Sequence, residues 1–97
     1  MKKLENQVAI ITGAGAGMGR AMATLFASEG CKVVASDILQ ERLQSLEKEI
    51  TAAGGEILTV KADMAQEGGI RNLFEKTIAR FGTLDILVNN AGIGGNG

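Results

Sequence analysis

The stretch Val8-Ala9-Ile10-Ile11-Thr12-Gly13-Ala14-Gly15-Ala16-Gly17-Met18-Gly19-Arg20 restricts the fold of this chain more than any other. A short apolar run meets four alternating glycines, Gly13, Gly15, Gly17 and Gly19, and a helix-like pattern follows. Glycines let a backbone turn tightly and come close to a bulky ligand. A helix starting near Gly17 has free N–H groups at its first turn, and its dipole adds partial positive charge there. Strand, glycine turn and helix start, in that order, make a phosphate cradle. The spacing G-x-G-x-x-G is not met, because from Gly13 or Gly15 the third position falls on Met18 or Arg20. A P-loop is not met either, since no Gly-Lys-Ser/Thr follows. The pattern that fits is Thr-Gly-x-x-x-Gly-x-Gly, at Thr12, Gly13, Gly17 and Gly19. The alternative is a flexible glycine loop without a ligand.

The rest of the chain repeats the strand-then-helix alternation. Val8 to Ile11 reads as a short strand buried on both faces. A first helix runs from about Gly17 to Ser28, with Met18, Ala21, Met22, Leu25 and Phe26 on one side, and Gly30 as its stop. Gly19 and Ala23 are small enough to let it pack close to a sheet. A second strand covers Lys32 to Ser36 and ends at Asp37. A second helix spans about Leu39 to Ala53, with Leu39, Leu43, Leu46 and Ile50 as its apolar stripe, and Gly54-Gly55 closes it. The third strand is Glu56 to Lys61, followed by Ala62-Asp63-Met64. A third helix covers about Glu67 to Phe81, with Ile70, Leu73, Phe74, Thr77, Ile78 and Phe81 on one face and Gly82 after it. The fourth strand, Leu84 to Asn89, leads into Asn90-Ala91-Gly92 and a glycine-rich tail.

Four such alternations predict an α/β fold with a parallel sheet and helical crossovers. Right-handed crossovers put the first two helices on one face. The fourth strand must then return beside the first, with the third helix on the opposite face. The expected strand order is 3-2-1-4, with a switch point between strands one and four where ligands bind in such sheets. The glycine turn and the stretch Asn89 to Gly92 both fall there.

Composition narrows the function classes. The 97 residues make one small domain, 45% hydrophobic and 22% charged. A net charge of −1 and a pI near 5.4 give no electrostatic case for nucleic acid. No apolar run approaches the ~20 residues of a membrane span. Met1 to Gln7 has no apolar signal core behind its lysines, so the cytoplasm is the expected location. Cys31 is the single cysteine and the chain has no histidine, tyrosine, tryptophan or proline. That excludes an internal disulfide, a His/Cys metal site and a Ser-His-Asp arrangement. Cys31, lacking a base, reads as a small partly buried hydrophobe.

Thr12-Gly13-Ala14-Gly15-Ala16-Gly17-Met18-Gly19, Asp37, Asp63 and Asn89-Asn90-Ala91-Gly92 together resemble the cofactor half of the classical short-chain dehydrogenases/reductases. The likeness is to the 3-oxoacyl-carrier-protein reductase and glucose dehydrogenase type, with motifs in order and at family spacing over essentially the whole chain. The resemblance implies a partial Rossmann-type sheet and a nicotinamide dinucleotide as ligand. It implies a pyrophosphate turn at Gly13, Gly17 and Gly19, with Gly15 and Ala16 also against the cofactor and Met18 near the ribose or nicotinamide side. Asp37 would accept hydrogen bonds from the adenosine ribose. Asp63, with Met64 beside it, would contact the adenine. Asn89, Ala91 and Gly92 would hold the end of the fourth strand and line the cofactor.

A carboxylate at Asp37 suits a free 2′-hydroxyl and repels a 2′-phosphate. Family members that prefer NADP carry a base where this chain has Ala16 and Ile38. NAD is therefore expected over NADP. The alternatives are a plain helix N-cap for Asp37, a loop-end carboxylate for Asp63 and a strand end satisfied by side-chain hydrogen bonds for Asn89-Asn90.

The family's catalytic Ser and Tyr-x-x-x-Lys are not in this sequence. Residues 1–97 are thus expected to be a dinucleotide-binding half-domain of an oxidoreductase, with weak cofactor binding and no turnover on its own. The alternative is a stand-alone or engineered non-catalytic unit. An open fourth-strand edge and a thinly covered sheet face predict self-association.

Overall fold

The computed structural model describes residues 3–66 and 68–90. The elements are β1 (Val8–Thr12), α1 (Gly17–Ser28), β2 (Lys32–Asp37), α2 (Gln40–Ala52), β3 (Glu56–Lys61), α3 (Gly69–Phe81) and β4 (Ile86–Val88). All pairings are parallel and the strand order is β3-β2-β1-β4, as the crossover argument requires. Register is set by pairs such as Ile10 with Val34 and with Leu87, and Val34 with Leu58.

Strand pleat divides the core in two, because successive side chains point to opposite faces. Ala9, Ile11, Val33, Ala35 and Ile57 meet α1 and α2 on one face. Val8, Ile10, Val34 and Val60 meet Leu73 of α3 on the other. On α2, Leu43, Leu46 and Ile50 are sealed. Burying each contributes about 1.5–3 kcal/mol, which offsets the helix's otherwise polar surface.

On α1 the expected close approach of Gly19 and Ala23 to the sheet holds, while its apolar stripe, like that of α3, is corrected. On α1 the side against the sheet is Gly19, Ala23 and Ala27, while Met18 and Leu25 are exposed. A helix with only hydrogens and methyls on one face sits close to the strands, so the larger side chains are pushed to its flanks. On α3 the stripe is only half used: Leu73 and Thr77 are buried, and Ile70, Phe74 and Ile78 remain exposed. The Thr77 hydroxyl donates to the Leu73 carbonyl at 2.8 Å and needs no further partner.

Element ends also move. The first strand includes Thr12, the second includes Asp37, and Leu39 stands as N-cap before α2. The third helix starts at Gly69, later than expected, and β4 is only three residues long. Gly82 closes α3 in the left-handed conformation (φ 79°). Among the described residues no helix is long and apolar enough to cross a membrane.

Cys31 is buried at the start of β2. Burial pushes its thiol up to about 11; a backbone hydrogen bond at Ala9 works against this and Asp85 adds to it. The thiol is therefore a packed apolar group at neutral pH, not a nucleophile.

Candidate functional site

The site forms where β1, β2, β3 and β4 end. Gly17 has φ +59°, a conformation that strains any side chain, and it sets the first turn of α1. Ahead of it, Ala16 is the N-cap and makes no side-chain cap bond, and the first turn holds no acidic residue. The amides of Gly17, Met18 and Gly19 thus start the helix with its partial positive charge uncompensated.

Gly19 lies against the carbonyl of Gly13, so closely that a Cβ there would collide with the Gly13 oxygen. The same oxygen accepts a hydrogen bond from Asn90 Nδ2 at 3.2 Å. On the next strand end, the Thr12 hydroxyl donates to Val88 O at 3.4 Å and lies 3.2 Å from Asn89 Oδ1. These contacts lock the glycine turn, α1 and the end of β4 into one unit. Asn89-Asn90 is therefore a satisfied strand terminus, and at the same time it fixes the turn.

Asp37 is 8% exposed. Its Oδ2 accepts from the Gly15 N–H at 2.8 Å and its Oδ1 from the Leu39 N–H at 3.0 Å. It does not cap α2, whose N-cap is Leu39, but closes a short turn in front of it. Each carboxylate oxygen can accept more than one hydrogen bond, so capacity remains on both. The Gly15 peptide is held on its other side too. Arg20 Nη1 lies 3.5 Å from the Gly15 carbonyl, while its Nη2 pairs with Glu49 at 2.7 Å and Ser45 Oγ at 3.2 Å.

A cleft of about 560 Å³ opens beside these groups. It brings together Gly13, Asp37, Ile38, Asp63, Met64 and Asn89. Asp63 Oδ1 accepts from the Ala65 N–H at 2.9 Å, so the loop-end role holds while the residue also borders the cleft. Ile38 is half exposed on the rim. Gly15 and Gly19 are buried behind the turn, and Ala16, Gly17 and Met18 are exposed. Ala91 and Gly92, expected to line the same place, lie outside the described residues, as does the tail.

Sequence reasoning missed three residues of the cleft and one ion pair. Ser36, Ala62 and Ala65 also line the cleft. Their only signal was adjacency to Asp37 and Asp63. The Arg20–Glu49 pair joins residues far apart in sequence, and no local spacing announces it. Among the described residues, no three His, Cys, Asp or Glu side chains converge as a metal ion would require.

The arrangement has the chemistry of a mononucleotide or dinucleotide seat. It offers an uncapped helix start, a turn with no room for a side chain at Gly15 or Gly19, and a fixed carboxylate at the mouth of a partly apolar cleft. The short chain dehydrogenase family model matches residues 7–97, and the chain belongs to that family. More particularly, it is 42% identical over 91 residues to a 3-oxoacyl-[acyl-carrier-protein] reductase of Thermotoga maritima, covering 94% of this chain and 37% of that one. Its fold superposes on a hydroxysteroid dehydrogenase from Escherichia coli with a TM-score of 0.90 at 41% identity, over 93% of this chain and 38% of that one. It also superposes on a metagenomic short-chain oxidoreductase in complex with NADP (TM-score 0.88, 41% identity, 94% and 41% covered). The chain thus spans about a third of the length of the curated relatives it matches.

Proposed function

We propose that the chain is the dinucleotide-binding portion of an NAD(P)-dependent oxidoreductase, one that moves hydride between a nicotinamide cofactor and an alcohol or carbonyl substrate. The observation that carries this reading is Asp37, pinned by Gly15 and Leu39 at the mouth of the cleft, beside an uncapped α1. The pyrophosphate would lie on the amides of Gly17, Met18 and Gly19, where the helix start favours negative charge. Gly13 and Gly15 would give it backbone to approach. Asp37 would accept the adenosine ribose hydroxyls, with Ile38 and Met64 flanking the base and Asp63 at its edge. Asn89, with Ala91 and Gly92 beyond it, would hold the cofactor-facing end of β4.

NAD is preferred over NADP in this reading. A buried carboxylate facing the 2′ position repels a phosphate there, and neither Ala16 nor Ile38 supplies a cation to offset it. The bound nicotinamide would supply the hydride acceptor or donor; these 97 residues supply its grip and its orientation. No tyrosine is present to handle the substrate's proton, so turnover is not expected from this chain alone.

Calorimetric titration with NADH, NADPH and adenosine diphosphate tests this reading. Saturable NADH binding, tighter than NADPH, supports it. Absence of binding by all three at millimolar concentration refutes it for this chain. The second part of the proposal is self-association, supported by exposed Leu87 on the edge strand β4 and by Ile70, Phe74 and Ile78 on α3.

A further inference from the structure

Ser36 is out of place among its neighbours. It lies near the C-terminal end of β2, opposite Thr12 on β1 and Val60 on β3. By strand parity it shares a face with Val34, and that face is otherwise closed by Val8, Ile10, Val60 and Leu73. Packing alone would be served by alanine or valine. A hydroxyl stands there instead, its residue 1% exposed, and its Oγ has no hydrogen-bond partner among the described residues. Buried polar atoms in native proteins are nearly always paired, and an unpaired one costs stability. Such a cost persists where a ligand supplies the missing partner.

The residue borders the cleft. A serine side chain turns about one bond among three staggered positions, so its hydroxyl can swing toward that space. Parity also divides the labour between neighbours. Asp37 points to the glycine-turn side, where Gly15 holds it. Ser36 points to the other side, toward the segment that carries Asp63, Met64 and Ala65. A ligand with its ribose at Asp37 therefore places its base on the Ser36 side.

We propose that Ser36 is a purine-recognising residue, its hydroxyl donating a hydrogen bond to a ring nitrogen of the adenine seated between Ile38 and Met64. This rests on the dinucleotide reading given above. It assigns to Ser36 a specificity role that Asp37 cannot perform, because Asp37 reads the sugar and Ser36 reads the base.

The test is Ser36→Ala, a change that removes one atom and adds no bulk. Dissociation constants for NADH, NADPH and adenosine diphosphate are measured by calorimetry on both proteins, together with their melting temperatures. The expected result is a loss of about tenfold in affinity for all three ligands, the size of one neutral hydrogen bond. The NADH-to-NADPH ratio stays constant, because the ribose contact is untouched. The melting temperature of the free variant is at or above that of the wild type, because an unpaired hydroxyl has been removed. Equal affinities in a wild type that binds would overturn the assignment and leave the dinucleotide reading standing. A changed NADH-to-NADPH ratio would overturn it by placing the effect at the ribose. A melting temperature several degrees lower would overturn it by showing that the hydroxyl already has a partner inside the protein. A wild type that binds none of the three ligands would overturn both readings.

Discussion

Replacing Gly19 by alanine should destabilise the protein, although alanine is the better helix former. Intrinsic propensity favours alanine over glycine by up to ~1 kcal/mol in a helix. Against this, a Cβ at position 19 would collide with the Gly13 carbonyl oxygen and stand 2.7 Å from Asn90 Nδ2. Neither obstacle is the loose end of a flexible side chain. One is backbone, and the other is an amide already bonded to that same oxygen at 3.2 Å. Overpacking of this kind costs ~1–3 kcal/mol, and parting Asn90 from Gly13 costs about 1 kcal/mol more. The net loss is about 2 kcal/mol, or a fall of roughly 10 °C in melting temperature for a domain this small. Equilibrium unfolding in urea measures it. Gly68→Ala is the control: that position has negative φ and no atom within 4 Å of an added Cβ, so its effect should stay within ~1 kcal/mol. A Gly19→Ala protein as stable as the wild type, or more so, would refute the claim that α1 is pressed onto the glycine turn.

Three further outcomes are expected. Asp37→Ala should weaken NADH by roughly ten- to a hundredfold, as lost charge-assisted hydrogen bonds do, while NADPH loses less; parallel titrations check this, and equal losses for both would show that Asp37 does not read the 2′ position. Stability should fall as pH rises from about 9 toward about 11, because the buried Cys31 thiol keeps its proton to about 11 while the unfolded thiol releases it near 9.0; urea midpoints across that window check it, and Cys31→Ala should remove this part of the decline. In sedimentation at tens of micromolar the chain should form dimers or larger species, and Phe74→Lys with Ile78→Lys should shift it toward monomer; a wild type that is wholly monomeric would count against an adhesive α3 face.

Helix and strand identity, order and handedness were legible because they rest on period and chain connectivity. Leu43, Leu46 and Ile50 repeat at helical spacing, and that spacing alone is enough to turn them together toward a sheet. The face that α1 buries was partly legible. Gly19 and Ala23 read as small enough to approach the sheet and do so together with Ala27, but the hydrophobic spacing also grouped Met18 and Leu25 with Met22 and Phe26, and close packing leaves those two exposed. The geometry of the candidate site was legible where a residue type is constrained by backbone conformation or charge, as at Gly17, Gly19 and Asp37. It was not legible where a side-chain pair joins two helices: Arg20 of α1 meets Glu49 of α2 only once both pack on the same sheet face, whereas the place of Asn90 beside Gly13 followed from the strand order. Ser36 was invisible for a different reason: an unpaired hydroxyl is defined by what surrounds it, and one serine at a strand end has no pattern of its own.

The central claim is that the glycine turn and Asp37 together form the dinucleotide seat, and amide chemical-shift mapping during titration with NADH tests it most directly. The account predicts saturable shifts at Gly13, Gly15, Gly17, Met18, Gly19, Asp37, Ile38 and Asp63, with little change in the groove between α1 and α2 at Thr24, Ala27 and Gly55. Shifts confined to that groove, or no saturable shifts at any of these amides, would contradict it.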